Sequence, residues 1–502
     1  MKKIILSLAL IALPLIAGAI NLKATIAGDE VQLRSQMGYH FVGTTHKVPF
    51  EVTISADSLL TDFDLSPHSK GIKAEVNGTT ARFVIEQPGY YVGSFNDGHH
   101  FFLFVDDKDF ASPGITLTSF GEIDNTGSKD VTALMQAAIN SAAKKKKALI
   151  VPSGTYLCKQ LVLPSNCNLI LEAGAELLLN PINYRDFNNE AFRRPSFIVS
   201  EGKNIRISGL GTINCNATEL FTRHGRRGRI RALLFQDCQK VTVQGVTVLD
   251  GGAWTTDYLG SQGVTIKNVK VISNIRILGT DGIDLDGVND ALVQDCFVCS
   301  GDDGVVLKST RAEDDVNNVI VIGNVVLSGS SALKIGTETM AEKMSNVSFI
   351  DNDVLLTRWG PHLLVRDGQN LDNILFENNR YENWYYGLNY TFVNKKINPE
   401  GYPADPRTFS ITYKKPDAEK VGRIVYVYTT KRKEDVVPGD ITNVVLKDNV
   451  FEKRPQVEAS EIKGRGNAKV DVTIKNLVVE GEGVTSIERI PIKVSKAKVA
   501  IE

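Results

Sequence analysis

Between Gly279 and Gly304 the chain reads GTDGIDLDGVNDALVQDCFVCSGDDG, with seven aspartates set among valines, leucines and cysteines. Crowded carboxylates repel one another and raise each other's pKa. That opposes folding but suits catalysis, because one carboxyl can stay protonated while its neighbour ionises. Glycoside hydrolysis uses such a pair: an acid protonates the leaving oxygen and a carboxylate acts from the other side. In the inverting form the two groups stand roughly 6.5–9.5 Å apart, with a water between the base and the sugar. Asp281 sits in a tight Gly-Thr-Asp-Gly, and Asp302 and Asp303 lie side by side between glycines. These three are the candidate catalytic residues. Asp286, Asp290 and Asp295 read as polar corner residues, and Asp284 fits either role. A calcium site in aspartate-rich turns is the alternative for the triplet.

What would bring them together is a repeat. Short β-rich runs, each broken by Gly, Asn or Asp, are centred on Gly245, Asn268, Asp295, Gly323, Asp351 and Asn378, at intervals of 23, 27, 28, 28 and 27 residues. A further copy around Asp448 comes 70 residues later, which implies a rung with an insertion of about 40 residues. No helical period separates the units, so leucine-rich, ankyrin and tetratricopeptide solenoids are excluded. The pattern predicts an all-β fold, a right-handed parallel β-helix with Asn, Asp and Gly at the coil corners. Asp281 and Asp302 are 21 residues apart, about one short coil. Coils stack about 4.8 Å apart, so their side chains would share a face. Flanking glycines would let Asp303 point the same way.

Ahead of the repeats, Leu134, Met135, Ala138, Ile139 and Ala142 recur at helical spacing. They predict a helix at about 130–143, with Asp130 as N-cap and Lys144–Lys147 at its C-terminus. It would cap the open end of the solenoid. Residues 20–112 show alternating runs and an Asn77-Gly78 hairpin signal, read as an antiparallel β-sandwich domain; 113–502 would be the β-helix catalytic domain.

Met1-Lys2-Lys3, an apolar run to Ile16 and Ala17-Gly18-Ala19 read as a secretory signal peptide spanning 1–19. A periplasmic or secreted protein is expected, with no membrane insertion. The formal charge of -1 gives no global reason to expect a nucleic-acid partner. Six cysteines in 502 residues make no disulfide scaffold, and Cys296-x-x-Cys299 reads as buried thiols.

GTDGID followed by SGDDGVVLKS resembles the signature of the polygalacturonase-type glycoside hydrolases, family 28. The flanks SFGEIDNTG…VTALMQAAI, VPSGTYLCKQLVLPSNCNLILEAGAELL and RALLFQDCQKVTVQGVTVLDGGAWTT resemble that family too. The resemblance runs from about Ser119 to about Val450. It implies a right-handed parallel β-helix and inverting hydrolysis without metal or cofactor. Asp302 would be the general acid, Asp281 and Asp303 would hold the water, and Lys308 would lie nearby. Three positions depart from the pattern. Gly279 stands where the family usually has Asn. Ser331 stands where polygalacturonases have a histidine. Leu363–Asp367 keeps a single basic residue, Arg366, of the family's Arg-Ile-Lys. The hydrolytic core is kept while the marks of polygalacturonate specificity are lost.

The expected substrate is an acidic, pectin-like polysaccharide or oligosaccharide, cut at an α-linkage by a monomer. Lys308, Lys334, Arg366, His362, Trp359 and Arg231 are the candidate substrate-binding residues. Arg231 ends an arginine-rich run from Arg223, and Trp384, Tyr385 and Tyr386 are further aromatic candidates. A polysaccharide lyase on the same fold and a non-catalytic glycan-binding β-helix are the rival readings.

Overall fold

The computed structural model describes residues 20–96, 98–107, 110, 112–182, 195–224, 229–275, 277, 279–384, 390–394, 409–413, 423–454 and 460–502. The expected signal peptide at 1–19, residues 225–228 of the arginine-rich run and the pair Tyr385–Tyr386 lie outside them. The chain divides into two compact units, with the break between Asp107 and Lys108.

The first unit is two five-stranded sheets. Leu22–Ile26, Asp29–Val31, Phe50–Ala56, Glu75–Asn77 and Thr80–Ile85 form an antiparallel sheet, with Asn77 opposite Thr80 across the Gly78 turn. The other sheet departs from the antiparallel expectation at one place: Tyr39–Thr44 runs parallel to His99–Val105. Alternating apolar residues such as Val52, Ile54, Phe83, Phe101 and Leu103 fill the space between the sheets.

The second unit is a parallel β-helix. Three sheets of thirteen, thirteen and eleven strands stack coil upon coil among the described residues. The first sheet contains the repeat strands, among them Gln239–Gln244, Gln262–Lys267, Asn289–Gln294, Val316–Ile322, Lys343–Ile350, Asn370–Glu377 and Ile441–Lys447. All pair in parallel with the next coil. The seven residues on which the repeat is centred, Gly245 to Asp448, all have φ between 52° and 79°. This is the left-handed conformation that Gly, Asn and Asp tolerate best. The 70-residue interval is an excursion: Glu377 pairs directly with Lys447, and Tyr390–Asn394 and Phe409–Tyr413 form a separate antiparallel hairpin.

Inside, Val, Ile, Leu and Phe from every coil form one continuous core. Phe349 stacks on Phe376 at 4.5 Å and Tyr381 on Phe451 at 4.3 Å between centroids. All six cysteines are buried thiols. The capping helix spans Thr132–Lys144, two residues later than its expected start. Asp130 ends a strand instead, and its carboxylate accepts hydrogen bonds from the Thr132 N–H and hydroxyl. Met135, Ala138, Ile139 and Ala142 turn inward as their spacing requires.

One polar column runs through this core. Asn324, Asn352, Asn379 and Asn449 each follow a corner residue and are buried. The Nδ2 of each of the first three donates to the Oδ1 of the next at 2.8–3.0 Å. The same Oδ1 atoms accept backbone N–H groups from the preceding coil. Replacing Asn352 with Ala should therefore cost about 2–4 kcal/mol, since each buried group left unpaired costs about 1–3 kcal/mol. Thermal unfolding measures this, and a melting temperature within a degree of wild type would show that the column does not support the stack.

Candidate active site

The site is built on the third sheet. Its successive strands Thr256–Leu259, Ile283–Asp286, Val305–Ser309, Leu333–Thr339, His362–Val365 and Tyr426–Thr429 pair in parallel. Ile283 lies opposite Val305, and Val305 opposite Leu333. Two residues earlier on each coil, a second row therefore aligns: Asp281, Asp303 and Ser331. Backbone bonds hold this row, with Gly282 N–H donating to the Asp303 carbonyl and Gly304 N–H to the Ser331 carbonyl, both at 2.8 Å. Ser331 bridges in turn to Trp359, and Trp359 to Arg423. Asp281 thus stacks on Asp303, rather than on Asp302 as the 21-residue interval implied; the short coil holds one more residue than was counted. Gly304 is required by this closeness, since a Cβ there would meet the Ala332 carbonyl oxygen at 2.5 Å.

Asp302 lies beside the row, half-buried. The hydroxyls of Ser300 and Ser328 donate to its backbone carbonyl, at 3.0 and 2.6 Å. Its Oδ2 accepts the Gly279 N–H at 2.8 Å. Gly279 has φ 80°, and its carbonyl accepts a hydrogen bond from Arg229 Nη2 at 2.7 Å. Burial, followed by the charges of Asp281 and Asp303, pushes the Asp302 carboxyl up to about 7, against the pull of Lys334 and the Gly279 N–H.

Its two neighbours are buried and paired with cations. Lys308 Nζ lies 2.8 Å from Asp281 Oδ2 and 2.7 Å from Asp284 Oδ1. Lys334 Nζ lies 2.7 Å from Asp303 Oδ2, and Ser330 Oγ donates to Asp303 Oδ1 at 3.2 Å. Burial works against the Lys308 charge, but Asp281 and Asp284 outweigh it and hold its pKa well above the ordinary lysine value. For Lys334 burial is likewise outweighed, by Asp303, and the pKa is raised. Lys308 also stands 3.7 Å from the centroid of the Trp254 ring.

A second layer of charge lies within the strands. Asp257 is opposite Asp284, and both are fully buried. Arg231 Nη2 pairs with Asp257 at 2.8 Å, and its guanidinium lies 5.1 Å from the Trp254 ring. Burial pushes the Asp284 carboxyl well up, with Lys308 opposing. Asp286 is not a corner residue. It ends a strand opposite Lys308, is buried, and accepts hydrogen bonds from the Thr310 N–H and hydroxyl at 2.7 and 2.6 Å. Burial, then Asp257, pushes it up to about 6. Asp290 and Asp295 do occupy corners, with φ 56° and 52°.

Lys308 and Lys334 are thus brought to the aspartates. Arg231 belongs to the neighbouring coil and reaches Asp257. His362 is buried one coil beyond Ser331, and its Nδ1 is 2.7 Å from Ser331 Oγ. The imidazole is kept neutral by burial and by the cations Lys334 and Arg423, which lower its pKa well below the usual value. A histidine from the next coil thus bonds to the serine at position 331. Trp359 is half-buried at the same level, 5.3 Å from the His362 ring. Arg366 follows the far end of its strand, away from the aspartate corners, and its backbone N–H donates to Thr339. Trp384 packs on Phe451 in the core and its indole N–H donates to the Lys453 carbonyl. Sequence reasoning missed Trp254 and Asp257. The available signal was the period, since Asp257 precedes Asp284 by one 27-residue repeat.

The model for glycosyl hydrolases family 28 matches residues 141–403, more than half of the chain. This chain belongs to that family. An exopolygalacturonase of Arabidopsis thaliana is 20% identical over 262 residues, covering 49% of this chain and 59% of the relative. The chain thus spans about three fifths of that relative's length. Two solved structures share the fold. A hyperthermoactive exopolygalacturonase from Thermotoga maritima superposes with a TM-score of 0.60 at 18% identity, over 78% of this chain and 91% of that one. A family 28 exopolygalacturonase from Yersinia enterocolitica gives 0.56 at 14%, over 90% and 96%.

Ionising Asp302 in the folded site is costly, because its folded pKa lies above the unfolded value. The cost is absent below about pH 4, grows up to about pH 7 and is constant above. Asp302→Asn should therefore unfold at a higher temperature than wild type at pH 8, by about 1–3 kcal/mol in stability, and match wild type at pH 4. Melting curves at both pH values check this; equal melting at pH 8 would mean that the carboxyl is not crowded.

Proposed function

We propose that this protein hydrolyses an α-glycosidic bond in an acidic, pectin-like polysaccharide with inversion of the anomeric centre. The supporting observation is the division of labour within one cluster. Asp302 keeps a proton near neutrality, while Asp281 and Asp303 are each paired with a buried lysine at 2.8 and 2.7 Å. Asp302 donates its proton to the leaving glycosidic oxygen. Asp281 and Asp303 orient a water and accept its proton as it attacks the anomeric carbon from the opposite face. Lys308 and Lys334 hold those two carboxylates in place through their ion pairs. Both ammonium groups are tied to carboxylates, which leaves neither as the free base that a lyase reaction needs. Relatives named as exopolygalacturonases support an acidic sugar as substrate. The basic and apolar leader at 1–19 supports action outside the cytoplasm.

Asp302→Asn should lower kcat on a matched pectic substrate by about 10²–10⁴-fold, the usual contribution of a positioned general acid. Wild-type activity should decline as pH rises through about 7, where Asp302 loses its proton. Proton NMR of the first product should show the β-anomer from an α-linked substrate. An α-anomer, or an Asp302→Asn variant as active as wild type, would refute the mechanism.

A further inference from the structure

Past the aspartates, the outward face of the third sheet changes character coil by coil. Asp284, Lys334 and His362 are buried on it, Tyr426 and Tyr428 are half-buried, and Lys463 is exposed. Register makes this one continuous surface. Lys334 lies opposite His362, His362 opposite Tyr426 and Tyr426 opposite Glu461. In the adjacent row Leu364 lies opposite Tyr428, and Tyr428 opposite Lys463. At about 4.8 Å per coil, Tyr426 is about 14 Å along the stack from the coil of Asp303.

The chemistry of this surface is aromatic and cationic. The Tyr426 and Tyr428 rings are 6.1 Å apart and 26° from parallel. Arg423 stands 4.4 Å from the Tyr426 centroid and Lys463 5.4 Å from that of Tyr428. At the corner of the coil before, Arg358 stands 4.7 Å from the Trp359 ring. The neighbouring acid is Glu461, 4.0 Å from Arg423. Among the described residues, three cations standing beside three aromatic rings, with Glu461 next to Arg423, complement a chain of sugar rings that bear negative charge. Arg423, Tyr426, Tyr428 and Lys463 all lie beyond the 141–403 stretch that matches the family.

From this continuity and charge we propose that Tyr426, Tyr428, Lys463 and Arg423 form a second binding segment for an anionic polysaccharide. It holds the part of the chain that lies three to four coils away from the bond at Asp302. The assignment rests on the reading that an acidic glycan lies across the aspartates, and the test separates the two.

Affinity electrophoresis in gels containing polygalacturonate, with Asp302→Asn as the background so that the matrix is not cleaved, reads the binding directly. The background protein should be retarded, and adding Lys463→Glu or Tyr428→Ala should weaken the apparent affinity about five- to twenty-fold. Adding Tyr428→Phe should preserve most of it, and neutral dextran should not retard the protein. Lys463 is exposed, so its variant carries the test if Tyr428→Ala melts early. Unchanged retardation in the Lys463→Glu protein, or equal retardation by dextran, overturns the proposal. A reducing-sugar assay of the wild-type enzyme on polygalacturonate judges the hydrolytic reading separately. Binding through Lys463 without cleavage would sink that reading and spare the platform; cleavage with indifference to Lys463→Glu would do the reverse.

Discussion

Two buried ammonium groups hold the whole site in place. Taking a charge out of water costs several kcal/mol unless it is paired, and this sheet face buries or half-buries Asp257, Asp281, Asp284, Asp286, Asp302 and Asp303 together. Lys308 and Lys334 neutralise part of that charge from inside, and Arg231 does so from the neighbouring coil. The cations do not cover every carboxylate. Burial, followed by the charges of Asp281 and Asp303, pushes Asp302 to about 7, and burial pushes the Asp284 carboxyl well up against the pull of Lys308. The acid of the proposed mechanism is therefore not tuned by one partner. It is the residue left over when the lysines have been shared out.

Such sharing requires that the charges arrive from different coils at a fixed spacing, and the solenoid provides it. Each coil contributes two or three members: Asp257 with Trp254, then Asp281 with Asp284, then Asp302 with Asp303 and Lys308, then Lys334 with Ser331. Parallel pairing fixes their order, and a slip of one residue would turn every one of them to the other side of the sheet. The left-handed corners and the asparagine column resist that slip. Each asparagine binds backbone groups of its neighbours and so accepts only one register.

Much of this was legible in the sequence, for identifiable reasons. The repeat centres were visible because only a few residue types tolerate positive φ, and all seven proved to be corners. The candidate aspartates were visible because charge is conspicuous in a β-rich run. Register was not visible. Counting from Asp281 to Asp302 assumed a coil length, whereas pairing of Ile283 with Val305 aligns Asp281 with Asp303. Asp286 was misplaced for the same reason: Leu-Asp-Gly resembles a turn, and only its neighbours Lys308 and Thr310 show it to be a strand residue. Arg366 resembled a remnant of a carboxylate grip, but its place after the far end of a strand takes it from the aspartate corners.

The departures from the family pattern follow a common logic. Gly279 leaves room for Arg229, whose Nη2 would lie 2.4 Å from a Cβ at that position. With that room, the backbone of one residue joins the two: the Gly279 carbonyl accepts from Arg229 and the Gly279 N–H donates to Asp302. Ser331 is likewise smaller than a histidine, and the space it releases is occupied by His362 from the next coil, bonded to its hydroxyl. In both cases the residue at the departing position is small and is contacted by a side chain reaching in from elsewhere in the stack. The candidate acid and its neighbouring carboxylates match the family pattern, while the groups around the cluster change identity and direction of approach. Chemistry and specificity are thus separable in this architecture, because the first depends on adjacent coils in register and the second on what reaches over them.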